Sequence, residues 1–185
     1  MARLEFENLE FRENGRGSID VVLMGKYHFF LGRKDLEDIG EFTLGKNSIE
    51  FEGVSEKKVS KRFSFLLSEG MKSMECTLNR RHAVYIHSNS GIPLIGTLYF
   101  GIVDRGTDMI EVKPLTGCNI DCSFCSVGEG MHSGLLTDYI VEEDYLVEEL
   151  ENLLEFKAVK GIKVFINPHG EPLLYSSIVS LVRRI

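Results

Sequence analysis

The stretch Asp108–Ser126, DMIEVKPLTGCNIDCSFCS, decides how this chain reads. Its first eight residues, Asp108–Leu115, set Ile110, Val112 and Leu115 among polar neighbours and predict a strand. A loop follows directly, from Gly117 to Ser126, and carries Cys118, Cys122 and Cys125 at C-x3-C-x2-C spacing. Downstream, residues 142–157 (EEDYLVEELENLLEFK) place Leu146, Leu150, Leu153 and Leu154 at i, i+4, i+7 and i+8, which is one face of a helix. The carboxylates Glu142, Glu143 and Asp144 suit the positive end of that helix, and Lys157, Lys160 and Gly161 suit its finish. Glu148, Glu149, Glu151 and Glu155 fill a solvated face opposite the leucines. Gly161–Asn167 (GIKVFIN) is a short apolar run that predicts a buried strand, and Leu173–Ile185 begins another helix. A β-loop-α-β-loop-α order implies a parallel sheet with right-handed crossovers.

Upstream the texture changes near residue 107. Residues 1–107 carry as many basic as acidic side chains, whereas residues 108–185 hold the chain's whole net charge of −7. The expected division is 1–107, a small β-rich N-terminal domain, and 108–185. Runs at Ser18–Met24, Tyr27–Leu31, Ser48–Phe51, Arg62–Leu67, Ala83–His87 and Pro93–Val103 mix β-branched and aromatic residues. Gly, Asn and Ser clusters separate them, and Leu4/Phe6 and Phe63/Phe65 alternate as strand residues do. One short helix is expected around Lys34–Ile39, ended by Gly40.

Composition narrows the function. With 43% hydrophobic and 26% charged residues the 185-residue chain is globular in character, not disordered, collagen-like or coiled-coil. No run of about eighteen apolar residues predicts a membrane span, and the charged N-terminus has no signal-peptide core, so a cytoplasmic location is expected. Neither part has net positive charge, so no nucleic-acid partner is expected. Four cysteines are too sparse for a disulfide scaffold. Three thiolates on a short loop can converge on one inorganic core, yet they are one short of the four that close a zinc site or a four-iron cluster. The residues alone leave open three inert structural cysteines, a structural zinc site, and an electron-transfer cluster. Cys76 or a histidine would be the fourth zinc ligand, and Cys76 the fourth cluster ligand. Cys76 itself alternates with Met74 and Leu78 as a small core residue would, and His28, His82 and His87 read as structural. His132, in the glycine-rich stretch 128–134, reads as an exposed loop residue.

The spacing Cys118-x3-Cys122-x-Phe124-Cys125, with an aromatic before the third cysteine, resembles the radical S-adenosylmethionine (radical SAM) enzymes. Gly170-Glu171-Pro172, at the end of the second predicted strand, resembles the family's Gly-Gly-Glu-Pro-like element, with His169 in place of the first glycine. The resemblance implies an α/β fold in which residues 108–185 supply the first two β/α units of a partial (β/α) barrel. It implies that Cys118, Cys122 and Cys125 each hold one iron of a 4Fe–4S cluster, whose fourth iron takes the amino and carboxylate groups of S-adenosylmethionine. Phe124 would lie near the adenine, and Gly170, Glu171 and Pro172 would contact the methionine end. The implied activity is oxidoreductase-type: one electron enters S-adenosylmethionine from a donor such as ferredoxin or flavodoxin. A 5′-deoxyadenosyl radical then abstracts hydrogen from a substrate that these residues do not identify. An oxygen-labile cluster implies an anaerobic or protected setting. The resemblance covers residues 108–185, and the family's barrel has more than two units. The expectation is therefore a truncated frame, an N-terminal piece, or half of a split enzyme whose second chain supplies the remainder.

Overall fold

A computed structural model of the protein describes residues 2–15, 17–128 and 137–185. The chain divides into two compact units, Met1–Ala83 and Val84–Ile185. The change in charge and texture near residue 107 falls inside the second.

The first unit is built from β1 (Ala2–Glu5), β2 (Leu9–Glu13), β3 (Ser18–Leu23), β4 (Tyr27–Gly32), α1 (Arg33–Glu37), β5 (Phe42–Leu44), β6 (Ser48–Phe51), α2 (Glu56–Met71) and β7 (Glu75–Cys76). The strand β8 (His82–Ile86) leads out of it. Strands β2, β3 and β4 form an antiparallel meander with β7 paired antiparallel on β4, and β6 lies between β1 and β5 in a second antiparallel sheet. Alternation places Ile19, Val21, Phe29 and Leu31 in the core.

One expected strand is a helix. Arg62–Leu67 belongs to the sixteen residues of α2. In a strand Phe63 and Phe65 would share a face; in a helix they point about 200° apart. Phe63 is 1% exposed, with its ring 5.7 Å from Phe6, 6.1 Å from Phe11 and 6.3 Å from Phe51, while Phe65 is 63% exposed. Val59 and Phe63, four residues apart, are the buried stripe that carries the helix. The expected run Pro93–Val103 also shortens, to β9 (Gly101–Asp104). Pro93 has no N–H for a ladder, and Gly91 and Gly96 take positive φ, so regular pairing starts only at Gly101.

The second unit continues with β10 (Met109–Lys113), β11 (Thr116–Gly117), β12 (Thr137–Val141), α3 (Glu143–Lys157), β13 (Lys163–Ile166), β14 (His169–Gly170) and α4 (Ile178–Arg184). Strand β10 is central: antiparallel to β9 and parallel to β13, with Ile110 opposite Val164 and Val112 opposite Ile166. The parallel pairing expected for the two apolar runs is present. Among the described residues the strands form several separate sheets and no barrel. Strand β12 was not foreseen from the sequence, and it feeds α3, which buries Leu146, Val147 and Leu150. Instead of one continuous helix after residue 173, a 3-10 turn over Pro172–Leu174 precedes α4. Tyr175 between them is buried, and its hydroxyl donates to the Val141 carbonyl at 2.8 Å. Among the described residues no helix is long and apolar enough to cross a membrane.

Candidate metal and ligand site

The cysteine loop and the Gly-Glu-Pro element lie side by side. Strands β11 and β14 pair in parallel, with Thr116 opposite His169 and Gly117 opposite Gly170. The Glu171 N–H donates to the Gly117 carbonyl at 3.2 Å. Cys118 is therefore the next residue after the strand that the second motif pairs with. Two glycines make the approach possible. A Cβ on Gly170 would collide with the Gly117 carbonyl, and Gly117 has φ +90°, a region where a side chain is strained. A Cβ on Gly117 would also stand about 3.0 Å from the carboxylate of Asp138, which is 2% exposed.

None of the three loop cysteines is in a disulfide; Cys118 is half-buried and Cys122 and Cys125 are exposed. The Cys118 sulfur accepts from the Ile120 N–H at 3.3 Å, and the Cys125 N–H closes a turn on the Cys122 carbonyl at 3.0 Å. Phe124 is 86% exposed, between the last two cysteines. Three accessible thiols on one loop are the donor chemistry of an iron–sulfur or zinc centre. Among the described residues, however, no group of three or more His, Cys, Asp or Glu side chains stands close enough to hold a metal ion. The loop presents the donors without gathering them. Cys76, by contrast, is buried in β7. His132 lies outside the described residues.

At the second motif the Glu171 side chain accepts from the Leu173 N–H at 2.9 Å, capping the 3-10 turn that Pro172 opens. His169 meets Tyr99 edge to face, with ring centroids 5.5 Å apart. Burial first, then the nearby Lys113 charge, pull the His169 imidazole below its ordinary value, against an opposing pull from Glu111.

Beside this pair of motifs is a polar network that the sequence reading missed. Glu111 and Lys113 share one face of β10, opposite the buried Ile110 and Val112, and are 8% and 3% exposed. The Lys113 ammonium lies 3.2 Å from Glu111 Oε2 and donates to the Asn167 carbonyl at 2.7 Å. Arg105 Nε donates to Glu111 Oε1 at 2.8 Å, and Asn167 Nδ2 donates to Oε2 at 3.2 Å. Burial raises the Glu111 pKa, but the hydrogen bonds from Arg105 and Lys113 outweigh it and hold the carboxyl below its ordinary value. The signal was legible: a Glu-Val-Lys triplet inside an apolar strand puts opposite charges at i and i+2, on one face.

No protein-family model matches the chain, and no solved structure matches it. Among curated proteins it is 38% identical over 123 residues to an uncharacterized protein of Methanocaldococcus jannaschii, a match covering 66% of this chain and 27% of that protein. It is 37% identical over 82 residues to a GTP 3′,8-cyclase of Lactiplantibacillus plantarum, covering 44% of this chain and 23% of the cyclase. With a dual-specificity RNA methyltransferase RlmN of Pseudomonas entomophila it shares 33% identity over 97 residues, 51% of this chain and 24% of the methyltransferase. The chain thus spans about a quarter of the length of the curated relatives it matches. Its distant, partial homologues include radical SAM family members.

Proposed function

We propose that residues 108–185 are the cofactor-binding portion of a radical SAM enzyme, with Cys118, Cys122 and Cys125 as ligands of a 4Fe–4S cluster. The observation that carries this reading is the parallel pairing of β11 with β14, which seats the Gly-Glu-Pro element against the strand that delivers Cys118. Its support from relatives is the partial homology to a cyclase and a methyltransferase of the radical SAM family. Bound there, the cluster would supply the electron that cleaves S-adenosylmethionine to methionine and a 5′-deoxyadenosyl radical, which abstracts hydrogen from a substrate.

The chain's own residues bind and orient. Cys118, Cys122 and Cys125 hold three irons as thiolates, and the Ile120 N–H that reaches the Cys118 sulfur supports its negative charge. The Gly170–Glu171 backbone and the Glu171 carboxylate face the methionine end of S-adenosylmethionine, where a carboxylate attracts an ammonium group. Phe124, exposed on the loop, packs near the adenine end of that ligand. The partial barrel beyond these two units, the electron donor (a ferredoxin or flavodoxin) and the substrate belong to the whole enzyme.

Anaerobic reconstitution with iron and sulfide, followed by EPR after dithionite reduction with and without S-adenosylmethionine, tests the reading. A reduced four-iron signal that changes when S-adenosylmethionine is added is expected. Uptake of one zinc with no four-iron signal would overturn it.

A further inference from the structure

We propose that Lys113 is a positioning residue: its buried ammonium locks the Gly-Glu-Pro segment against the strand that carries the cysteine loop. The lock crosses from β10 to the connection between β13 and β14. Lys113 donates to the main-chain carbonyl of Asn167 at 2.7 Å, and the Asn167 N–H in turn donates to the Val112 carbonyl at 3.0 Å. Residue 167 is thereby held to β10 through both its backbone groups. It is also held through its side chain, because Asn167 Nδ2 donates to Glu111, the counter-ion of Lys113. Three residues on, Gly170 passes the Gly117 carbonyl with no room for a methyl group, so a small rotation of the 167–170 segment would break that approach.

A charge at this point is costly to bury and is justified only by its partners. Lys113 is 3% exposed, and a buried ammonium needs both a counter-ion and hydrogen-bond acceptors. Glu111 supplies the first and the Asn167 carbonyl the second. A methionine, one atom shorter, would fill most of the space but leave that carbonyl unanswered. Arg105 binds the same Glu111 from the other side, with both of its guanidinium contacts on Oε1. It shares the ion pair but not the lock, which makes it the control.

In the cluster-free chain, amide hydrogen exchange at Glu171, whose N–H is held by Gly117, reads the lock directly. Hydrogen bonds from charged groups are strong enough that Lys113→Met is expected to speed Glu171 exchange about tenfold or more. Lys113→Arg should restore it, and Arg105→Met should leave it unchanged. If Lys113→Met does not fold, Lys113→Gln takes its place, with a smaller change of the same sign. Glu171 exchange that stays at the wild-type rate, or that rises equally in Arg105→Met, would overturn the proposal.

The use of the lock rests on the radical SAM reading and is tested separately. In the reconstituted chain, Lys113→Met is expected to keep its iron and sulfide content yet weaken S-adenosylmethionine binding about tenfold, with recovery in Lys113→Arg. Should the wild-type chain take up no cluster while Glu171 exchange still rises in Lys113→Met, the lock stands and only the reading of its ligand fails.

Discussion

At the scale of single residues, Gly170 is the position where the site tolerates least. The family resemblance implied that Gly170 contacts the methionine end of S-adenosylmethionine. The structure gives a reason inside the chain, since the missing Cβ is what allows Gly117 and Gly170 to pair. Gly170→Ala must push β14 away from β11, and overpacking of this kind costs about 1–3 kcal/mol. A lowered thermal midpoint by circular dichroism is expected, together with lost protection at the Glu171 amide; an unchanged midpoint would mean that the strands can separate freely. Two titrating groups beside it set a pH dependence. His169 has a depressed pKa, so the unfolded chain binds its proton first, and stability falls as pH drops below the ordinary value of 6.5. Glu111 is also depressed, so its contribution is present above its ordinary value of 4.5 and is lost as pH falls through the lower folded value. Urea midpoints measured between about pH 7.5 and about pH 5.5 should decline, and His169→Gln should flatten that decline while leaving the loss at lower pH.

At the scale of elements, the helix α3 shows how a local rule and an observed cap can part. Its pattern of leucines and terminal charges is plain in the sequence, and Gly161 looked like its stop. The helix instead ends at Ala158, with φ +50° and its N–H on the Leu154 carbonyl at 3.1 Å. A left-handed cap is a glycine position held here by alanine. Ala158→Gly should therefore stabilise the second unit by roughly 0.5–1 kcal/mol, read as an upward shift in the urea midpoint; a destabilised variant would show that the alanine methyl packs usefully. The same contrast runs through the rest of the fold. Ser48–Phe51 and Tyr27–Leu31 were legible because sheet pairing obeys the alternation that their side chains display. Arg62–Leu67 misled because two phenylalanines at i and i+2 fit a strand locally, and only the wider Val59/Phe63 spacing reveals the helix. Strand β12 hid because Thr137–Val141 abuts the acidic start of α3 and reads as its approach. The cysteine loop and the Gly-Glu-Pro element were legible as motifs. So was their place at the C-terminal ends of consecutive parallel strands. The residue-by-residue pairing was not, because β11 and β14 have only two residues each, too short to leave a period.

At the scale of the whole molecule, chemistry is concentrated while packing is spread out. Among four cysteines, Cys76 is 5% exposed in β7, a place for a small apolar side chain, whereas the loop thiols reach solvent. Burial blocks access to iron, so Cys76 is unsuited to ligation where it stands, and exposure makes the loop thiols available. On the proposed reading the donor set is three, and three thiolates would leave one position of a four-iron cluster for an outside ligand. Replacement separates this from a four-cysteine centre. Cys118→Ala, Cys122→Ala and Cys125→Ala are each expected to reduce four-iron content after reconstitution to background, because no described side chain stands ready as a substitute. Cys76→Ala should keep wild-type iron and sulfide per chain and the same EPR signal, with only a modest loss of thermal stability from the smaller core residue. Iron that vanishes in Cys76→Ala while the thermal midpoint is kept would make Cys76 the fourth ligand. The site would then be a closed electron-transfer centre with no iron free for S-adenosylmethionine.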